Sequence, residues 1–407
     1  MNITPSLGAT RDIALFLGGS GLWFIGVGIH SIFLPWVLLS ELRVSPFQFG
    51  IAQMCLMLPV LLLVIYGGYL ADRQPLRRWL ARIYLCAGLL ALVFAAGVAQ
   101  GWLSYPMVLM YSLLFGALSA FCAPAREAWL NLLGQHQLQK WVTLNIGIEF
   151  GIQIVGYALG GQAPELGIGW MFVLLALLFV TASLSVSRIS TSTPTKPRSA
   201  VLDETRAAWR YSTHHPVVFP VLLINGLIGV FFLGSYFVVM PLHVSQLAGG
   251  DASLLATANT VFMIGLIASV VTLVVTGGLR HKPRALIASC LLAALLLAAL
   301  PFVFNRGLLL SLLFGWGFLG GVALSMGQTL IQEHAPPRNR AQVLALLMLF
   351  FMGGNPLGSL LLGTLLEYLD ATIVSLGSAL AMTAALVFIS YTHRFWSLHH
   401  APLNTCA

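Results

Sequence analysis

Charged residues make up only 8% of the 407-residue chain and hydrophobic residues 58%, where a soluble domain carries roughly 25% charged residues. That composition excludes a water-soluble globular protein, which would need far more polar surface to cover its core. The net charge of +8 comes from Lys and Arg scattered through short breaks between apolar runs, not from a dense patch of the kind that binds nucleic acid.

A membrane-spanning helix needs roughly 20 mostly apolar residues. In chain order such runs fall at 13–39, 48–71, 79–99, 105–130, 142–163 and 168–187, then at 216–243, 252–278, 284–304, 308–331, 341–366 and 371–391. The first run follows Arg11 and Asp12 and is too long for the h-region of a cleaved signal peptide, so it reads as the first membrane helix. The longest polar break, from about Arg188 to His215, is Ser/Thr/Pro-rich at first and has helical character around Leu202 to Trp209. The expected architecture is an all-α membrane protein of about twelve transmembrane helices in two six-helix halves, with residues 1–187 forming the first bundle, 188–215 a cytoplasmic linker and 216–407 the second bundle. With the N-terminus placed in the cytoplasm, all but Arg43 and Arg306 of the 20 Lys and Arg residues fall on the cytoplasmic side. The positive-inside rule predicts that asymmetry, and both termini are then cytoplasmic.

The halves echo each other. Gly67-Gly68 and a basic cluster follow the second run; Gly277-Gly278 and Arg280, Lys282 and Arg284 follow the eighth. The fifth run carries Gly151, Gly156, Gly160 and Gly161, and the eleventh Gly353, Gly354, Pro356, Gly358 and Gly363. Repeats of this kind occur in transporters whose substrate site lies between halves near the midplane.

The segment Gly68-Tyr69-Leu70-Ala71-Asp72-Arg73, followed by Arg77 and Arg78, resembles the cytoplasmic motif of the major facilitator superfamily. Ala123-Pro124-Ala125-Arg126-Glu127-Ala128-Trp129, Asn145, Gly156-Tyr157-Ala158-Leu159-Gly160-Gly161 and Gly354-Asn355-Pro356-Leu357-Gly358 are similar to the branch that holds enterobactin exporters and macrolide efflux pumps. The resemblance implies a secondary transporter that works by alternating access in a bacterial inner membrane and exports a small amphipathic molecule, siderophore or drug-like, as a proton antiporter. It also implies a cytoplasmic latch built on Gly68, Asp72, Arg73, Arg77 and Arg78, in which Asp72 meets the start of the eleventh helix and locks the halves together on that side. Import or lipid translocation is the alternative within the fold.

Several residues are candidates for a cavity wall or for coupling. Glu149 lies about eight residues, roughly 12 Å, into its helix, where an ionised carboxylate is costly unless paired or wet. Asn145, Glu149 and Gln153 recur at four-residue steps on one face, which Gly156 and Gly160 extend. His30 sits deep in the first run, and imidazole titrates near neutral pH. Asn225 and Tyr236 lie on one side of the seventh run, and Asn355 in the eleventh. Arg126, Glu127 and Glu333 read as gate or packing charges. The expected partners are a small-molecule substrate, membrane lipid and protons as coupling ion, with no nucleic acid, and the chain is expected to act as a monomer. No metal spacing among the five cysteines and no phosphate-cradling or nucleophile motif is present in the sequence, so neither a cofactor, a metal nor an enzymatic activity is expected. A membrane enzyme would need facing His/Asp/Glu clusters, and a receptor a long soluble domain; neither pattern is present.

Overall fold

The computed structural model describes residues 7–133, 138–190, 201–249, 251–279, 281–336 and 340–393; the side chains of 7–10, 65, 71, 72, 130–133, 138–147, 201–207, 248 and 341 lie outside that description. The side chains of Asp72 and Asn145 are therefore not placed, nor is the Ser/Thr/Pro-rich stretch 191–200.

The described chain is helical throughout. Its helices are α1 (Leu7–Trp36), α2 (Pro46–Arg73), α3 (Leu76–Ala99), α4 (Tyr105–Leu133), α5 (Leu138–Gly161), the short α6 (Ala163–Leu166) and α7 (Ile168–Ser187). After the break come α8 (Val201–His214), α9 (Val218–Leu227), α10 (Met240–Ala248), α11 (Ala252–Val275), α12 (Lys282–Ala299), α13 (Arg306–His334), α14 (Arg340–Tyr368) and α15 (Ala371–Thr392). Eleven stretches among the described residues are long and apolar enough to cross a membrane. The 24-residue α5, whose first part falls outside the described side chains, completes the expected twelve. The helical tendency around Leu202 to Trp209 appears as α8.

The seventh span departs from ordinary α-helical pitch. α9 passes into a wide π-helical stretch, Ile228–Leu233, and a second one, Ser235–Val239, before α10 resumes the ordinary pitch. A wide turn also closes the first span at Val37–Glu41, just after Pro35. Proline removes an intrahelical N–H, and single wide turns are the usual way a membrane helix absorbs such a fault.

Packing divides the chain into two compact units. One comprises Met1–Ser199, Phe237–Thr260 and Ser359–Glu367; the other comprises Ala200–Tyr236, Val261–Gly358 and Tyr368–Ala407. Within the first, α1 packs on α5 and α7, α2 on α4, and α3 on α7. Lipid tails are as apolar as leucine, so helices in a bilayer associate by close van der Waals fit, and small residues permit it. A methyl added at Gly28 of α1 would lie 2.9 Å from Gly156 Cα of α5, and one added at Gly160 2.9 Å from Ile32 Cβ. One added at Gly67 of α2 would lie 2.7 Å from the Ala120 carbonyl of α4. At the end of α2 that the charge rule places outside, Gly50 meets Gly363 backbone to backbone, and the Phe47 N–H donates to Glu367 Oε2 at 3.2 Å.

The second unit repeats the device. A methyl at Gly354 of α14 would lie 2.7 Å from the Gly229 carbonyl carbon, and one at Gly234 2.9 Å from Gly358. Gly265 of α11 approaches Phe318 of α13, and Gly321 of α13 approaches the Leu266 carbonyl. The same two helix pairings of each half, first with fifth and second with fourth, thus rest on glycine. That physical content underlies the glycine echo between the fifth and eleventh runs. It also corrects one expectation. Gly156 and Gly160 do not prolong a polar wall; they seat α1.

His215 lies in the short link between α8 and α9 in the second unit. Its Nδ1 accepts the Val217 and Val218 N–H groups at 3.2 and 3.3 Å, and its ring faces His334 at 5.8 Å and Tyr211 at 5.2 Å. Partial burial, with His334 close by, lowers the His215 pKa below the ordinary imidazole value.

Two outcomes follow from this packing. Gly156→Val should lower the thermal midpoint of the detergent-purified protein, at a cost of roughly 1–3 kcal/mol. Gly151→Val, where nothing lies within 4 Å of the added carbon, should leave it unchanged. Because the folded protein favours the neutral His215, its hydrogen-bonding contribution is complete above the ordinary imidazole value of about pH 6.5 and is lost progressively below it, as the pH falls through the depressed folded-state value. His215→Asn, which caps without titrating, should flatten that part of the thermal midpoint's acid dependence.

Candidate functional site

Four helices of the first unit carry a polar locus at membrane depth. α4 contributes Arg126, about two turns before its end and only 5% exposed. α5 contributes Glu149, whose Oε2 stands 3.7 Å from Arg126 Nη2, and its side chain is 31% exposed. α1 contributes Phe24, whose ring lies under the guanidinium at 4.1 Å. α3 contributes Tyr84, which adjoins Arg126, Cys122 and Ser20. Helical spacing explains the gathering. Gly156 lies two turns beyond Glu149, so the face that touches α1 also carries the carboxylate. Cys122 and Arg126 are four apart on α4, hence on one face.

The donors here outnumber the acceptors. Guanidinium offers five N–H groups and no acceptor. Arg126 Nε has no hydrogen-bond partner, and neither has Tyr84 OH or Ser20 Oγ; these hydroxyls adjoin without meeting hydrogen-bond geometry. At 3.7 Å the Glu149 contact is an ion pair but too long for the 2.7–2.9 Å of a charge-assisted hydrogen bond. The cation–π contact with Phe24 offsets part of the desolvation.

His30 lies in a different neighbourhood. Its ring stacks on Phe115 at 4.0 Å and on Tyr111 at 5.5 Å, and it is 3% exposed. Nδ1 pairs with the Gly26 carbonyl at 2.6 Å, and Nε2 with the Tyr111 hydroxyl. A carbonyl only accepts, so Nδ1 carries the proton, and Nε2 of the neutral ring accepts from Tyr111. Trp23 stacks between Tyr84 (5.1 Å) and Phe115 (5.6 Å), so an aromatic column joins the His30 and Arg126 neighbourhoods.

The other candidates are placed as follows. Gln153 Oε1 accepts from Tyr157 at 3.3 Å on the α5 face that meets Gly28. In the second unit, Asn225 is buried, donates to the Val221 carbonyl at 2.9 Å and abuts Gly327. Tyr236 packs on Phe262 at 4.4 Å and near Trp316 at 6.4 Å, in the second wide stretch of the seventh span. Asn355 is buried in α14 beside Pro356. Of the latch residues, Gly68 faces Pro124, whose Cβ would lie 4.0 Å from a methyl added there. Arg73 covers the Tyr69 ring at 4.2 Å. Arg77 donates to the Ile189 carbonyl at 2.8 Å, and Arg78 is exposed. Asp72 and Asn145 have no described side chain. Glu333 pairs with Lys282. Among the described residues, no group of three or more His, Cys, Asp or Glu is placed to hold a metal ion.

Comparison with known proteins fits this architecture. The family model of the Major Facilitator Superfamily matches residues 16–359. The chain belongs to that superfamily. It is an integral, multi-pass membrane transporter, not an enzyme. Its fold is similar to that of a variant of nucleoside transporter NupG (TM-score 0.72, 13% identity, covering 95% of this chain and 100% of that one). It is also similar to a bacterial homolog of the human lysosomal transporter Spinster (0.71, 14%, 97% of each) and to an auto-inhibited peptide transporter of the POT family (0.74, 13%, 97% and 99%). The staphyloferrin A transporter of Staphylococcus aureus (strain NCTC 8325 / PS 47) is 31% identical over 117 residues, which span 28% of this chain and 29% of that one.

The residue that sequence reasoning undervalued is Arg126. A cation inside an apolar run is a functional candidate by default, and that signal was present. What was absent was its partner, since only helix packing brings α4 and α5 together at this height.

The His30 geometry sets a test. Tyr111→Phe leaves a buried imidazole nitrogen unsatisfied, which costs roughly 1–3 kcal/mol, so the thermal midpoint should fall. Transport per folded molecule should hold if His30 is a core residue, and should collapse if it lines the pathway.

Proposed function

We propose that this transporter is a proton-coupled carrier of a small amphipathic organic molecule, siderophore or drug-like, and that it works as an exporter by alternating access between the 1–187 and 216–407 bundles. The observation that carries the proton coupling is the Arg126–Glu149 pair inside the bundle. A carboxylate that is mostly withdrawn from water, beside one cation and partly open, is a group whose proton occupancy changes when its cation moves. The stretch shared with the staphyloferrin A transporter makes a siderophore the first cargo to test, and the branch resemblance supports export. Import is the second reading. It is favoured by the sign of the pair, because a proton on Glu149 frees a cation for an anionic cargo and so loads both together.

The test is uptake of staphyloferrin A by proteoliposomes under an imposed pH gradient. Wild type should show gradient-stimulated flux, and Glu149→Gln should lose at least about 90% of the stimulation while keeping gradient-independent exchange. Equal stimulation in both removes Glu149 as the coupling group. Reversing the gradient in oriented vesicles separates export from import.

A further inference from the structure

Among the described residues, the neighbours of Arg126 leave part of its guanidinium unpaired. Nε is buried without a partner. The carboxylate paired with it, Glu149, is loose and single-pronged at 3.7 Å. Tyr84 OH and Ser20 Oγ, both buried and without partners, border the same locus. A buried guanidinium costs least when a planar oxyanion takes two of its N–H groups in parallel, and Glu149 does not do so here. The walls are aromatic. Phe24 lies under the cation, and Trp23 stacks on Tyr84. The locus is open on the side of Glu149, the only one of its charged pair with substantial exposure.

We propose that Arg126 is a binding site for the carboxylate of an organic acid with an apolar, aromatic-compatible body, and that the incoming carboxylate displaces Glu149. This deepens the transport reading and rests on it, by naming the class of cargo. Arg126 is 5% exposed, too deep for a lipid headgroup attached to two chains, so its ligand has to be a small free acid that arrives from the Glu149 side. Among the described residues, the groups that face the exchange are these. Glu149 is faced by Arg126 and Glu127, both from α4. Arg126 is faced by Cys122 and Glu127 from α4, Tyr84 from α3 and Glu149 from α5. Among these, displacement leaves Glu149 without its cation and still near Glu127, so the displaced carboxylate takes up a proton. Anion and proton therefore load together as a neutral unit. Such a unit moves in whichever direction the combined gradients favour, so one site serves export down a cargo gradient and import up one.

The experiment is equilibrium binding of 1-naphthoate and of its neutral isostere 1-naphthamide to the full-length protein in detergent. Wild type should prefer naphthoate by about tenfold, about 1.4 kcal/mol, and naphthoate binding should tighten as the pH falls. Glu149→Gln, which leaves Arg126 without a competing anion, should bind naphthoate more tightly than wild type and with little pH dependence. Arg126→Gln should lose the preference, and Arg126→Lys, which keeps the charge but not the fork, should retain only part of it. Size-exclusion profiles identify any variant that fails to fold, and the Glu149→Gln comparison stands without the Arg126 variants. Equal binding of the two probes by wild type, absence of naphthoate binding, or no tightening in Glu149→Gln overturns the anion site. Gradient-driven staphyloferrin A flux that persists despite such a result leaves the transport reading intact. Naphthoate preference without gradient-driven flux of any acid sinks the transport reading and spares the site.

Discussion

Glycine seams decide how these helices meet. A bilayer supplies no hydrophobic drive between spans, so lateral order depends on how closely backbones can approach. Gly28 against Gly156, Gly67 against Ala120, Gly229 against Gly354 and Gly321 against Leu266 are contacts in which a single methyl group would overlap backbone or force it apart. Each compact unit uses the same two pairings. The seam between α1 and α5 also fixes the polar chemistry: with Gly156 held against Gly28, Glu149 two turns away has to face α1 and α4, which is where Arg126 and Phe24 stand.

The polar locus then has a clear electrostatic character. An isolated guanidinium at membrane depth is expensive, and breaking a buried pair by removing one member costs more than the pair contributes. Here the cation is buried, the carboxylate half-open and the distance between them long. Such a pair is poised for exchange more than for structural strength. His30 shows the contrast. Both of its ring nitrogens are bonded, and it is stacked among aromatic residues, which is how a bundle interior accommodates an imidazole at little cost.

Much of the fold is legible in the amino-acid sequence because lipid imposes one simple demand, an apolar run of sufficient length. The run 168–187 coincides with α7, and 79–99 ends with α3 at Ala99. The errors lie at the polar ends. α2 starts at Pro46 because Ser45 and Gln48 form a capping box, a hydrogen-bond signal that carries no hydropathy. α13 extends from Arg306 to His334, past the apolar stretch at both ends, since Asn305 caps its start. The candidate site was legible only in part. Periodicity shows that Glu149, Gln153 and Gly156 share a face, but not what lies opposite. A polar face turned toward another helix reads the same as one turned toward water, so the sequence places the glycines that pack on α1 in a cavity wall and Arg126 only among gate or packing charges.

The two wide stretches of the seventh span carry a mechanical consequence. A turn that spreads its hydrogen bonds over an extra residue holds its carbonyls more loosely than an α-turn does, and this span has two such turns in succession, on either side of Gly234. Gly229 and Gly234 pin the same stretch to α14 at Gly354 and Gly358. A rod softened at its middle and clamped at that point bends about the clamp. Bending of this span is therefore expected at that clamp, much as a lever turns on a fulcrum.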